Sequence, residues 1–192
     1  MSILCKNEII QALKDKEIII QPSNIDNVGI DSIDICLGPK LLIAKKTGKV
    51  VDIKNGAEME FEEHDLSQGF YDIKPGDFIL ASTIEKIGLS NCTVGTLEGR
   101  SSMARIGIVI HQTAGLLHAG WGYQNPCRLT LEISSVNPNP VRIYNGMKIG
   151  QISFMRLSQN VEEGYDQKCD SKYKNLEGPL PSKINEDYKK NL

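Results

Sequence analysis

Ile33-Asp34-Ile35-Cys36-Leu37 alternates apolar and polar side chains residue by residue. Successive side chains of an extended chain point to opposite faces, so this alternation predicts a half-buried strand. Working outward, Leu41 to Ala44, Val50 to Ile53 and Phe78 to Ser82 read the same way. Further strands are expected at Val94 to Leu97, Gly107 to His111, Leu129 to Ile133, Val141 to Ile143 and Lys148 to Phe154. Lys74-Pro75-Gly76-Asp77 is a strong turn between two strands, because Pro presets φ and Gly accepts the conformation that follows. Asn145-Gly146 marks a tight turn between the last two strands. One amphipathic helix opens the chain, with Ile9, Ile10 and Leu13 at helical spacing and Asn7 placed to cap it. Many short strands and few helices predict an all-β sandwich or barrel.

The chain has 192 residues, enough for one domain with a sizeable core. Its 22 Lys and Arg nearly balance 24 Asp and Glu, for a net charge of −2, which argues against a nucleic-acid coat or a polybasic membrane patch. Met1 to Ile10 carries no long apolar run behind a basic start, so neither a signal peptide nor a membrane span is expected. Cys5, Cys36, Cys92, Cys127 and Cys169 are odd in number and scattered without a C-x-x-C, which suits reduced thiols in a cytosol. Residues 1–160 read as the domain. From Val161 to Leu192 the sequence is polar and poor in large apolar residues. Such a tail is either disordered or ordered only against something else, such as a ligand or a neighbouring subunit.

The densest polar cluster is Glu98-Gly99-Arg100-Ser101-Ser102-Met103-Ala104-Arg105. A strand ending at Gly99 and a helical turn starting near Ser101 would offer free N–H groups, two hydroxyls and guanidinium groups to an anion. The same residues also read as a Ser-capped turn with exposed arginines. In Arg128-Leu129-Thr130-Leu131-Glu132-Ile133, the leucines face one side and Thr130 and Glu132 the other. Glu132 is an ordinary surface carboxylate if that second side meets water. If it lines a pocket, desolvation raises its pKa toward a range useful for moving protons. His111-Gln112-Thr113-Ala114-Gly115, leading into Leu116 to Trp121, reads as a β-hairpin or loop with a Gly hinge that presents backbone donors and acceptors. His111 and His118 have no third ligand at a metal spacing, and the zinc deaminase pattern H-x-E followed by P-C-x-x-C is absent.

Gly99-Arg100-Ser101-Ser102-Met103-Ala104-Arg105-Ile106-Gly107 resembles the G-R-S-S-[LMF]-[AG]-R-[LI]-G motif of the dCTP deaminase family, within the trimeric dUTPase-like superfamily. Gly29 to Gly38, Thr113-Ala114, Gly120-Trp121, Leu131-Glu132, Gly146 to Gln151, Tyr165, Lys172-Tyr173-Lys174-Asn175 and Gly178-Pro179 follow in family order. The resemblance covers nearly the whole chain. It implies a mainly β, distorted β-barrel of the jelly-roll-like dUTPase type (β-clip), with one N-terminal helix, short helical turns, and residues 161–192 as a lid over a nucleotide site. It implies a cytoplasmic homotrimer with shared active sites, Mg²⁺ carried by the triphosphate, no zinc, and no nucleic-acid or membrane partner. The implied reaction is deamination of dCTP to dUTP and ammonia, in dUTP and dTTP precursor metabolism, with dTTP as a candidate inhibitor.

Carried over residue by residue, Glu132 is the general base and acid, and Ser101 and Arg105 hold the reacting end. Arg100 and Ser102 serve the phosphates, within a motif that Met103 and Ala104 complete. Thr130 and Leu131 flank the base through the backbone, and Gln151, Tyr165 and Lys172 match nucleotide contacts. Leu176 stands where the family's tail has Gln. His118 stands where the family has an Asp that meets the sugar hydroxyl and, in dUTP-hydrolysing relatives, helps position the attacking water. Trp121 to Cys127 is a few residues longer than the family's loop. A bifunctional enzyme forming dUMP and a non-catalytic trimeric nucleotide sensor are the alternatives. The 111–115 stretch and Gln151 resemble the bifunctional branch, and the Asp replacement by His118 points the other way.

Overall fold

The computed structural model describes residues 2–54 and 59–189. Its elements in chain order are α1 (Lys6–Lys14), β1 (Ile18–Gln21), β2 (Ile33–Ala44), β3 (Phe61–Asp65), β4 (Phe70–Ile73), β5 (Phe78–Leu89), β6 (Thr93–Gly99), α2 (Ser101–Arg105), β7 (Ile108–Val109), β8 (Leu116–Leu117), β9 (Cys127–Ser135), β10 (Val141–Tyr144), β11 (Lys148–Arg156) and α3 (Glu186–Lys189). Nine strands form one sheet whose main path runs β7-β9-β5-β2-β11-β6-β8, with β1 added to β5 and β3 to β2. β10 and β4 make a separate two-stranded ribbon. No helix among the described residues is long and apolar enough to cross a membrane.

The sheet cannot be flat. β7 and β8 are the two ends of its path, six strand spacings apart, which in a flat sheet is about 29 Å. The chain from Val109 to Leu116 reaches at most about 25 Å even when fully extended. The ends therefore approach each other, and the sheet curls into a half-barrel. Register shifts between Leu37 and Leu41, Ser82 and Lys86, and Lys148 and Gly150 supply the bends. Inside the curl lie Ile35, Leu37, Leu41, Ile79, Ile87, Leu131, Ile133, Ile152 and Phe154, all fully buried. α1 closes the structure by burying Ile9 and Ala12.

Several local expectations change. Ile33 to Leu37 and Leu41 to Ala44 are one continuous strand, β2. Val50 to Ile53 is not a strand: it joins no ladder among the described residues, and Val50 is 85% exposed. The strand expected at 107–111 shrinks to Ile108–Val109, because Gly107 turns at φ 79 and gives its carbonyl to Val136. The helix cap is Cys5 rather than Asn7, and the Cys5 N–H donates to Glu8 Oε2 at 2.9 Å. The 145–146 turn exists, yet β10 and β11 enter different sheets instead of pairing. The turn is held by Leu37, whose carbonyl accepts from Gly146 N–H at 2.8 Å. Of the two readings for the 111–121 stretch, the loop holds and the hairpin does not, since β7 pairs with β9 and β8 with β6. The Lys74 to Asp77 turn stands as expected, with Gly76 at φ 76 and Asp77 N–H bonded to Lys74 O. β1, β3 and β8 were not foreseen, and β4 was implied only as the strand before the Lys74 to Asp77 turn.

Gly115 lets the crossing chain touch β6. Its carbonyl accepts from Leu97 N–H at 2.7 Å, and a Cβ there would lie 2.9 Å from Leu97 O. Gly115→Ala is expected to cost about 1–3 kcal/mol, the usual range for overpacking. Gly178→Ala, where an added Cβ meets nothing within 4 Å, serves as the control. Urea unfolding at fixed protein concentration checks this; equal midpoints for the two variants would contradict it.

Candidate functional site

Strand β9 alternates buried and half-buried residues without a break from Cys127 to Ser135. Leu129 and Leu131 point into the core, and Thr130 and Glu132 share the other face. Glu132 is opposite Leu80 of β5 in the register. Burial pushes its carboxyl above the usual glutamate range. Two neighbours pull partly the other way: the Gln112 N–H, which donates to Glu132 Oε2 at 3.3 Å, and the positive potential of His111. The outcome is a half-buried carboxyl with a raised proton affinity, facing the crossing chain.

That chain also links Glu132 to β6. His111 Nε2 lies 3.9 Å from Glu98 Oε2, while its Nδ1 is buried without a hydrogen-bond partner among the described residues. Glu98 is followed by Gly99 and then by α2, where Met103 is buried and Ser101, Ser102, Ala104 and Arg105 are exposed. Arg100 is the N-cap residue of this short helix. Its Nε lies 3.2 Å from Asp34 Oδ1, and Lys148 Nζ lies 3.0 Å from Asp34 Oδ2. Gln151 belongs to the same strand face, paired with Asp34 on one side and Glu98 on the other, and its Oε1 accepts from Ser32 Oγ at 3.3 Å. Among the described residues, the side chains of Ser101, Ser102 and Arg105 make no hydrogen bond or ion pair, and none of them contacts the Glu132 carboxylate.

The tail lies along the body of its own chain. Val161 N–H bonds to Asn91 O, Tyr165 N–H to Ala119 O, and Arg128 N–H to Leu176 O. Trp121 Nε1 donates to Tyr173 O at 3.1 Å, and Leu180 N–H donates to Thr130 Oγ1 at 3.3 Å. The tail can seat there because position 120 is glycine: φ is 80, and a Cβ would fall 2.8 Å from Tyr165 N. Tyr165 stacks on His118 with ring planes 2° apart and centroids 5.7 Å apart. Lys172 is bound to Asp187 at 2.6 Å, and the Leu176 side chain is buried in the core.

The structure thus places Glu132 and Thr130 on one face of β9 with Leu131 on its core side, Arg100 to Arg105 with Gln151 around the end of β6, and His118 against Tyr165 of the tail, which also carries Lys172 and Leu176. Gln112, His111, Asp34 and Lys148 were not foreseen as their partners. A polar residue on the half-buried face of a strand, as at Asp34, is the one signal the sequence offered. Nothing in it showed that 111 and 112 would meet Glu132. Among the described residues, no cluster of three His, Cys, Asp or Glu side chains is placed to hold a metal ion.

A family model described as dCTP deaminase-like matches residues 3–157. A Dictyoglomus turgidum protein named "dCTP deaminase, dUMP-forming" is 36% identical over 97% of this chain and 96% of its own length. An Aquifex aeolicus protein of the same name is 35% identical over 96% of each chain. A Pseudoalteromonas atlantica protein named "dCTP deaminase" is 33% identical over 97% of each. In architecture the chain is similar to 2'-deoxycytidine 5'-triphosphate deaminase from Agrobacterium tumefaciens, with a TM-score of 0.62 and 21% identity, over 84% of this chain and 49% of that one.

The Glu132 carboxyl should titrate above the midpoint of exposed glutamates, because burial outweighs its one N–H donor and His111. Infrared difference spectra across pH, with Glu132→Gln as the blank, read this directly. A midpoint at or below that of exposed glutamates would refute the desolvated environment.

Proposed function

Because this chain belongs to the dCTP deaminase-like family, we propose that it hydrolyses dCTP to a deoxyuridine nucleotide and ammonia, with Glu132 carrying the protons. The carrying observation is the Glu132 carboxyl, half-buried, raised in proton affinity by desolvation and oriented by the Gln112 N–H. Deamination adds water to the ring carbon that bears the amine and expels that amine as ammonia. A carboxylate near its own pKa can take one proton from the attacking water and pass it to the ring nitrogen, then carry the adduct's hydroxyl proton to the amine as the C–N bond breaks and the carbonyl forms. Fixed dipoles stabilise the charge that develops on the adduct, the role proposed for Ser101 and Arg105. Arg100 and Ser102 take the phosphates, and Thr130 and Leu131 flank the base through their backbone.

Ser101, Ser102 and Arg105 are exposed and free of bonds to the described residues, and Ile106 and Val136 beside them are 44% and 77% exposed. This supports a homotrimer in which α2 of one subunit completes a site with Glu132 of another. Residues 161–192, with Tyr165 and Lys172, act as the lid of that site. Mg²⁺ would enter with the triphosphate of the substrate, whose oxygens suit a hard cation. Zinc is not required in this reading, which rests on the missing zinc deaminase motif and on proton transfer by a carboxylate.

The product is the point where two observations diverge. At position 118 a carboxylate could accept hydrogen bonds from both a water and the sugar hydroxyl, whereas neutral imidazole offers one acceptor and its protonated form none. His118 also lies flat against Tyr165. Both features favour release of dUTP. The relatives named dUMP-forming favour the second reading, in which the same site goes on to release pyrophosphate and dUMP.

Three outcomes are expected. Glu132→Gln should stay folded and lose at least about a hundredfold in deamination rate, the low end for removing a general acid–base. Near wild-type turnover in the folded variant would overturn its role. In a time course with dCTP and Mg²⁺, chromatography should show dUTP as the main product, and His118→Asp should raise the dUMP share. Appearance of dUMP and pyrophosphate from the start, in step with ammonia, would establish the second reading. Activity should survive a zinc-selective chelator and fall when Mg²⁺ is withdrawn; stoichiometric zinc in active protein would contradict the metal assignment.

A further inference from the structure

The crossing chain carries one side chain whose bonds the reaction above leaves without a purpose. Both hydrogens of the Gln112 carboxamide nitrogen are engaged on β9: Nε2 donates to Glu132 O at 3.2 Å and to Ser134 Oγ at 3.1 Å. The backbone ladder between β7 and β9 reaches only from Ile108 opposite Ser135 to Val109 opposite Ser134. Beyond Val109 the chain leaves β9, and the Gln112 side chain supplies the next attachment. The same residue's N–H is the hydrogen-bond donor to the Glu132 carboxylate. At 3.3 Å that bond is already long, so a small shift of the crossing chain would break it.

We propose that Gln112 is a positioning residue: its carboxamide latches the crossing chain to β9 and so keeps its own backbone N–H on the Glu132 carboxylate. The proposal rests on the reading of Glu132 as the proton carrier. Among the described residues, few groups face Glu132. Its β5 partner is the apolar Leu80, the titratable neighbour is His111, and Glu98 of β6 stands behind His111. The Gln112 N–H opposes the effect of burial. Losing it leaves desolvation less opposed, so the carboxyl holds its proton to higher pH. A base must be ionised to work, so the acid limb of the rate profile moves upward in pH.

The test compares Gln112→Met, Ser134→Ala and the double variant with the full chain, reading kcat and KM for dCTP deamination across pH together with thermal stability. Gln112→Met keeps the length of the side chain and removes its donors. It should lower kcat about tenfold, as expected for two modest hydrogen bonds. KM should stay within about twofold and the acid limb should shift to higher pH. Ser134→Ala should show a smaller change in the same direction. The double variant should be no worse than Gln112→Met, because both changes remove the same bond. Wild-type kcat with an unmoved acid limb in Gln112→Met overturns the latch. So do losses that simply add in the double variant, or a lowered melting temperature with no change in the pH profile. Glu132→Gln separates the two levels: if it retains turnover, the reading of Glu132 fails and the latch with it. If it is inactive while Gln112→Met behaves as wild type, the latch alone fails.

Discussion

Six residues, 110–115, tie one edge of the sheet to the other, and this short tether is the constraint from which the candidate site follows. β7 stands beside β9 and β8 beside β6, so the tether forces the two ends of the strand path toward each other. The curl encloses the core, and it also brings a carboxylate on β9 within reach of a chain segment that touches β6. His111, Gln112 and Gly115 each serve this geometry differently: one lies beside Glu98, one bonds β9, and one allows backbone contact with Leu97. A longer loop would close the same topology at little entropic cost. It would not dictate where Glu132 points.

The two ends of this arrangement are electrostatically unlike. Around Asp34 the charges are paired and half-exposed, with Arg100 and Lys148 sharing one carboxylate. An arriving polyanion would meet two cations already oriented by an acid, which lowers the cost of ordering long side chains at the moment of binding. Among the described residues no Lys or Arg is paired with Glu132, and burial is the largest influence on its carboxyl, ahead of the Gln112 N–H and His111. In the proposed trimer the Arg100 cluster of one subunit would hold charge and Glu132 of another would exchange a proton.

Much of the fold was legible in the sequence because strand alternation and turn chemistry are local. Ile33 to Leu37, Phe78 to Ser82 and Leu129 to Ile133 are strands, and the turn at Lys74 to Asp77 and the helix opening at Ser101 stand where the residues put them. Partner choice is not local. Asn145-Gly146 carries a hairpin signature, yet β10 departs to β4 and β11 to β2 and β6. Val50 to Ile53 has β-forming residues but no sheet edge, and β8 is too short to produce a pattern. For the site, the sidedness of Glu132 could be read from period-two spacing. Its desolvation could not, because it depends on a segment twenty residues upstream folding across it. The motif around Arg100 to Arg105 was visible as composition, while Asp34 as its counter-charge required the sheet register.

The tail's seat has an optical consequence. The chain contains a single tryptophan, Trp121. It is buried at 6% exposure, and its indole N–H donates to the carbonyl of Tyr173 in the tail. A tail that lifted would take this acceptor from the indole and open it to water. Indole emission responds to both changes, so the intrinsic fluorescence of the unmodified protein reports whether the stretch around Tyr173 is seated against Trp121.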